Sequence, residues 1–278
     1  MRKKLDELIK KKTFLIVSHR GLYGANIIDN TLESVELAFR TGADIVEIDV
    51  IKSTDNILYA FHSNEEFKRF NKNIKLSEMS SKEIENLEYL NVLGNKTGKK
   101  VDKIEDILKF SKGKGLINLD RAWDNFDEVF KLVKKLNMED EVIVKSPPND
   151  EYISFLKNSD IKLMYMPILD DYKDIDKVID EKINLVAVEL LFKNSSDKII
   201  SNEYINKLKN KNIHIWANSI ELGGIHKLQA GYSDDFSLFN DGKGWEWLYE
   251  RGFNIIQTDW PFLLYEFRNN KINGGKIK

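Results

Sequence analysis

The segment DIVEIDV, residues 44–50, sets Glu47 and Asp49 inside an otherwise aliphatic run. Side chains alternate faces along a strand, so Ile45, Glu47 and Asp49 share one face and Val46, Ile48 and Val50 the other. The all-aliphatic face suits packing against helices, which leaves the two acids pointing inward. Ionised carboxylates this close need a compensating charge. A hard divalent cation held by oxygens meets that need, and so does an ion pair with a nearby Arg or Lys. Other chemistry-bearing residues stand at the ends of apolar runs. His19 and Arg20 follow the run 14–18, Asp120 closes 115–120 with Arg121 behind it, Lys145 closes 142–145, and His62 closes the short run 57–62. Acids with a metal, flanked by Arg and Lys, suit a phosphate group, and two histidines can move protons to and from it near neutral pH.

These residues meet only if the runs are parallel strands that open at one end. Eight such runs occur, at 14–18, 44–50, 115–120, 142–145, 162–166, 185–190, 213–218 and 254–259, separated by amphipathic stretches such as NTLESVELAFRTG and NFDEVFKLVKKLN. Strict alternation predicts a parallel sheet with helical crossovers. Eight units in a chain of this length predict an α/β fold of the (β/α)8 TIM-barrel type, since a doubly wound sheet more often shows a glycine-rich first turn. Barrel sites lie at the C-terminal strand ends, where the candidates fall. Asn30 or Thr31 can cap the first crossover helix, and Gly42 stands at its stop. The segment 51–101 is too long for an ordinary loop and reads as a small insertion after the second strand, within one domain spanning 1–278.

Composition narrows the rest. A net charge of -2 provides no global field for nucleic acid, so any anion site must be local. The absence of cysteine excludes disulfide scaffolds, thiolate catalysis and cysteine zinc sites. The start, MRKKLDELIKKK, lacks the apolar core of a secretion signal, and no long apolar run predicts a membrane span; the expected compartment is the cytoplasm.

An ordered set of motifs resembles the glycerophosphodiester phosphodiesterase family, in particular a bacterial subgroup. It consists of HRG at 19–21, DNT at 29–31, GADIVEIDV at 42–50, FHS at 61–63 and the late QTDWP at 257–261. The likeness runs over most of the chain. It implies a (β/α)8 barrel that hydrolyses a small-molecule glycerophosphodiester to glycerol 3-phosphate and an alcohol. It further implies that His19 and His62 form the general acid/base pair, that Glu47, Asp49 and Asp120 ligate Mg2+ or Ca2+, and that Arg20 holds phosphate. Three positions depart from the pattern. Ser63 replaces an aspartate, Asp29 replaces a glutamate, and Ala122 stands where many members carry a lysine. Lys145 is the candidate to supply that missing charge. Ser63 and Ala122 also motivate a rival reading, a barrel that binds a phosphodiester or phosphosugar without turnover.

Weaker signals complete the reading. Trp216 could pack on a glycerol backbone or serve equally as barrel core with its indole N–H bonded. Glu189 could touch the metal or a substrate hydroxyl, with a structural ion pair favoured. Asp234 and Asp235 read as solvated or loop-ordering, Trp245 and Trp247 as packing residues, His214 as core and His226 as a loop residue. KKLDELIKKK reads as a solvated amphipathic helix, and GNKTGKK as a basic loop rather than a phosphate loop.

Overall fold

The computed structural model describes residues 2–222, 228–272 and 274. His226 lies outside them. Among the described residues nine strands form: β1 Leu15–Ser18, β2 Ile45–Lys52, β3 Leu58–Ala60, β4 Leu116–Asp120, β5 Val142–Ser146, β6 Met164–Leu169, β7 Ala187–Leu190, β8 His214–Asn218 and β9 Ile255–Thr258. All but β3 run parallel, in the order β1-β9-β8-β7-β6-β5-β4-β2, and β1 pairs with β2 to close the barrel. The eight apolar runs are its eight strands. The outward faces are aliphatic because each packs against crossover helices such as Leu32–Arg40 and Phe126–Leu136.

The inward faces change character along their length. Ile45 leads to Glu47 and Asp49, Leu116 to Asn118 and Asp120, Ile143 to Lys145, Ala187 to Glu189, Trp216 to Asn218, and Ile255 to Gln257. The N-terminal half of the barrel is therefore an apolar plug, and the C-terminal half a ring of polar groups. One expectation is corrected here. The N-terminal helix Lys3–Lys11 is not a solvated element: Leu5, Leu8 and Ile9 pack on Leu15, Ile45 and Leu116 and close the bottom of the barrel. His214 sits at that end, buried, with its ring nitrogens against Arg2 and Asn254.

The segment after β2 is an insertion, as its length predicts. β3 pairs antiparallel with β2, followed by the short helix Glu66–Phe70 and two further turns. It carries its own small core, in which Phe61, Phe70 and Tyr89 stack. The 94–100 stretch is an exposed turn in which Lys96 pairs with Glu88 and Lys99 with Glu33. Among the described residues no helix is long and apolar enough to cross a membrane.

Candidate active site

β1 ends in a left-handed turn at Arg20 and Gly21 (φ 55° and 77°). At Gly21 a Cβ would meet Ser34 Oγ at 2.4 Å, so both conformation and space call for glycine. The turn aims the Arg20 backbone N–H at Glu47 Oε2, 2.9 Å away. Arg121 adopts the same unusual conformation at the end of β4 (φ 53°). Non-glycine residues held there cost about 1–3 kcal/mol each and collect at functional sites.

Glu47, Asp49 and Asp120 converge, with one oxygen from each within 4.8 Å of the others. Glu47 is only 1% exposed, and its Oε1 has no hydrogen-bond partner. Burial, with Asp49 beside it, pushes its carboxyl up to about 8. Asp49 is held by Asn30, which donates from Nδ2 to Oδ2 and accepts from the Asp49 backbone N–H, both at 2.9 Å. Thr31, not Asn30, is the helix cap, in a reciprocal box with Ser34. Around the trio the acids Asp29, Glu47, Asp49, Glu65, Asp120 and Glu189 outnumber the cations Arg20, Arg69, Arg121 and Lys145. A buried excess of negative charge with an orphaned carboxylate oxygen at its centre fits a divalent cation.

His19 Nδ1 lies 2.8 Å from Asp259 Oδ1, on the turn after β9. Burial pulls this imidazole down, but the Asp259 hydrogen bond and the charge of Glu47 outweigh it, and the net shift is upward. His62 lies two residues past β3, its Nδ1 3.9 Å from Glu65 Oε1 without a hydrogen bond. Burial shifts it downward. His19, Arg20, Asp49, His62, Asp120 and Lys145 line one cavity of about 330 Å3 at the C-terminal face. These are six of the eight residues singled out from the sequence, and Glu47 lies just beneath them.

Trp216 stands apart. It is 0% exposed, its indole N–H donates to Asn218 Oδ1 at 2.9 Å, and Lys145 Nζ sits 5.8 Å from its ring. It has no surface to offer a substrate, so core is the reading that fits. Lys145 is at the mouth end of its strand but is buried between Asp120 and Glu189, 3.0 Å from each. Burial would lower it, and those two acids hold it above its ordinary value. Glu189 has the structural pairing favoured for it, completed by Asn218 Nδ2 at 2.7 Å. Arg20 is likewise occupied. Its Nη1 donates to Glu65 at 2.8 Å, and its Nε lies 3.1 Å from Asp49. Burial would raise Glu65, but Arg20 outweighs it and holds the acid at about 2.

Several supporting residues have no role at the site in the sequence alone. Glu65 sits three residues beyond His62, on the helical turn that also brings Arg69 to Asp29. Asp259 lies in QTDWP and Asn30 in DNT, where it also reads as a candidate helix cap. Asp234 orders its loop from a fully buried position. It accepts from the hydroxyls of Ser219 and Thr258, the Trp245 indole and the Asp259 backbone N–H, at 2.6 to 2.8 Å. Burial pushes it up to about 6. Trp247 packs face to face on Tyr232, centroids 3.9 Å apart.

A family model described only as a domain of unknown function matches residues 165–267. No curated protein matches the chain. Among solved structures, a glycerophosphoryl diester phosphodiesterase from Parabacteroides distasonis is similar at a TM-score of 0.75 and 17% identity, covering 97% of this chain and 92% of that one. A glycerophosphodiester phosphodiesterase from Agrobacterium tumefaciens gives 0.67 at 23% identity, covering 90% and 98%. A phosphodiesterase from Oleispira antarctica, solved with the product sn-glycerol-3-phosphate, gives 0.67 at 15%, covering 91% and 95%. At these identities the shared property is the fold.

Proposed function

We propose that this chain is a metal-dependent phosphodiesterase that hydrolyses glycerophosphodiesters to glycerol 3-phosphate and an alcohol. The observation that carries the reading is the meeting of Glu47, Asp49 and Asp120 with His19 and His62 around one opening at the C-terminal end of a closed barrel. Likeness in fold to phosphodiesterases, one of them holding sn-glycerol-3-phosphate, supports it.

Glu47, Asp49 and Asp120 are the residues that would hold Mg2+ or Ca2+. When bound, such an ion supplies charge stabilisation to phosphate oxygens. Arg20 and Arg121 add positive charge along the cavity wall, where negative charge builds on the phosphate during displacement. Lys145 pairs with both Asp120 and Glu189 and so aims them. One histidine takes the proton of the attacking oxygen as its bond to phosphorus forms. The other protonates the departing alkoxide as the second phosphorus–oxygen bond breaks. The attacking oxygen comes from water, or from a neighbouring hydroxyl of the substrate, in which case a cyclic phosphate forms first and water opens it. His19 works through Nε2, because Asp259 engages Nδ1. The whole chain acts as one catalytic unit, with the insertion contributing His62.

A second reading, binding of a phosphodiester or phosphosugar without turnover, draws support from the prior engagement of Arg20 and Lys145 by carboxylates and from the burial of Ala122. One experiment separates the two. The protein is assayed for glycerol 3-phosphate release from a panel of glycerophosphodiesters, with Mg2+ or Ca2+ and with chelator. Release that stops on chelation is the expected result. Saturable binding of the diesters with no release would favour the second reading.

A further inference from the structure

Beside the cavity of carboxylates and histidines lies a second, of about 520 Å3. The two share Arg121, and chain neighbours divide between them. Asp49 and His62 face the first, while Val50 and Ser63 face the second. Thr54 and Ser77 reach it from the insertion, and Trp123 and Asn125 from the turn after β4. The side chains of Thr54, Ser63, Ser77 and Asn125 make no hydrogen bond to any described residue. The charged members of the wall are already engaged. Lys52 donates to Glu128 at 2.6 Å, Asp124 accepts from the Tyr152 hydroxyl at 2.7 Å, and Arg121 lies 3.4 Å from Asp49.

The free recognition groups are thus neutral, and each both donates and accepts hydrogen bonds. Alcohol hydroxyls are groups of the same kind, and the face of Trp123 suits the C–H surface of a polyol. A trimethylammonium group has no donor to offer these side chains. Its cation calls for several aromatic faces or an unengaged carboxylate. The wall has one indole, two like charges in Lys52 and Arg121, and a single carboxylate, Asp124, already bonded to the Tyr152 hydroxyl.

Resting on the phosphodiesterase reading, we propose that this second cavity receives the leaving alcohol of the substrate and selects a polyhydroxylated one, such as glycerol or inositol, over a quaternary ammonium alcohol. A diester with its phosphate at the carboxylate trio extends its leaving side past Arg121 into the cavity. Ser63 contributes directly, because it presents a neutral hydroxyl where an aspartate would present an unengaged carboxylate to a cation.

The test compares kcat/KM for glycerophosphoglycerol, glycerophosphoinositol and glycerophosphocholine, in the wild type and in Thr54→Val/Ser77→Ala. Both substituted residues are exposed and lie outside the catalytic group, so folding is retained, as thermal unfolding checks. The wild type should favour the two polyol diesters by about tenfold or more, the size of effect that one or two net hydrogen bonds produce. The double variant should lose most of that preference while glycerophosphocholine turnover stays within about twofold. A wild-type preference for the choline diester overturns the proposal, and so does an equal change for all three substrates in the variant; in both cases the phosphodiesterase reading stands. Failure of every diester to release glycerol 3-phosphate removes that reading, and the alcohol subsite with it.

Discussion

At the scale of single residues, the two histidines differ in a way that fixes their order of titration. His62 is displaced below the ordinary imidazole value and His19 above it. A proton acceptor must start neutral and a donor must start charged, so His62 suits the first role and His19 the second. The pH profile of kcat/KM should be a bell, with an acid limb below about 6.5 from His62 and a basic limb above it from His19. Replacing either by Ala should lower kcat by about 10²–10⁴ with little change in thermal stability. Wild-type turnover in both variants would remove the assignment. Glu65 offers a finer check, since it engages Arg20 and lies near His62 without lining the cavity. Glu65→Gln should reduce kcat/KM about tenfold and move the acid limb, because it removes a negative charge beside His62. A stability loss with an unmoved limb would mean that Glu65 only braces the insertion.

At the scale of elements, the eight strands were readable because each is a short apolar run, most of them rich in β-branched residues, whose outward face must be apolar. The acids of β2 were readable because two carboxylates on one strand face have few physical explanations. The partners that complete the site were not. Asp259 is separated from His19 by 240 positions, and Asp234 binds groups from three separate segments. No local pattern encodes such meetings; they exist only once the barrel has closed. The N-terminal helix misled for a related reason. Its apolar stripe is three residues among many lysines, and only the open bottom of the barrel gives that stripe a target. Leu5→Ala should therefore cost about 2–4 kcal/mol in urea unfolding, as for a buried leucine, whereas a solvated helix would lose almost nothing. Asp234→Ala should cost about 3 kcal/mol, because it leaves four donors without their acceptor, and it should also lower turnover by loosening the turn that carries Asp259.

At the scale of the whole molecule, Glu47 would link proton binding to the binding of a cation. In the folded chain burial and the charge of Asp49 push this carboxyl up to about 8, above the ordinary carboxylate range. Without a cation the folded state binds the extra proton across that interval, so stability declines as pH rises through it. A bound cation displaces the proton, so its affinity and the rise in Tm it produces should grow from about pH 5 towards about pH 8. Thermal unfolding with and without millimolar Mg2+ or Ca2+ measures this, and a shift independent of pH would argue against carboxylate ligation. Glu47→Gln should abolish both the shift and turnover. Barrel closure also orders events in time. β1 reaches its second neighbour only when β9 arrives, and the same event brings Asp259 to His19. At ordinary translation rates, roughly 10–50 s separate the synthesis of those two residues. Throughout that interval the growing chain holds His19 without the carboxylate that orients it, so its imidazole is set in place only once the last strand has been made.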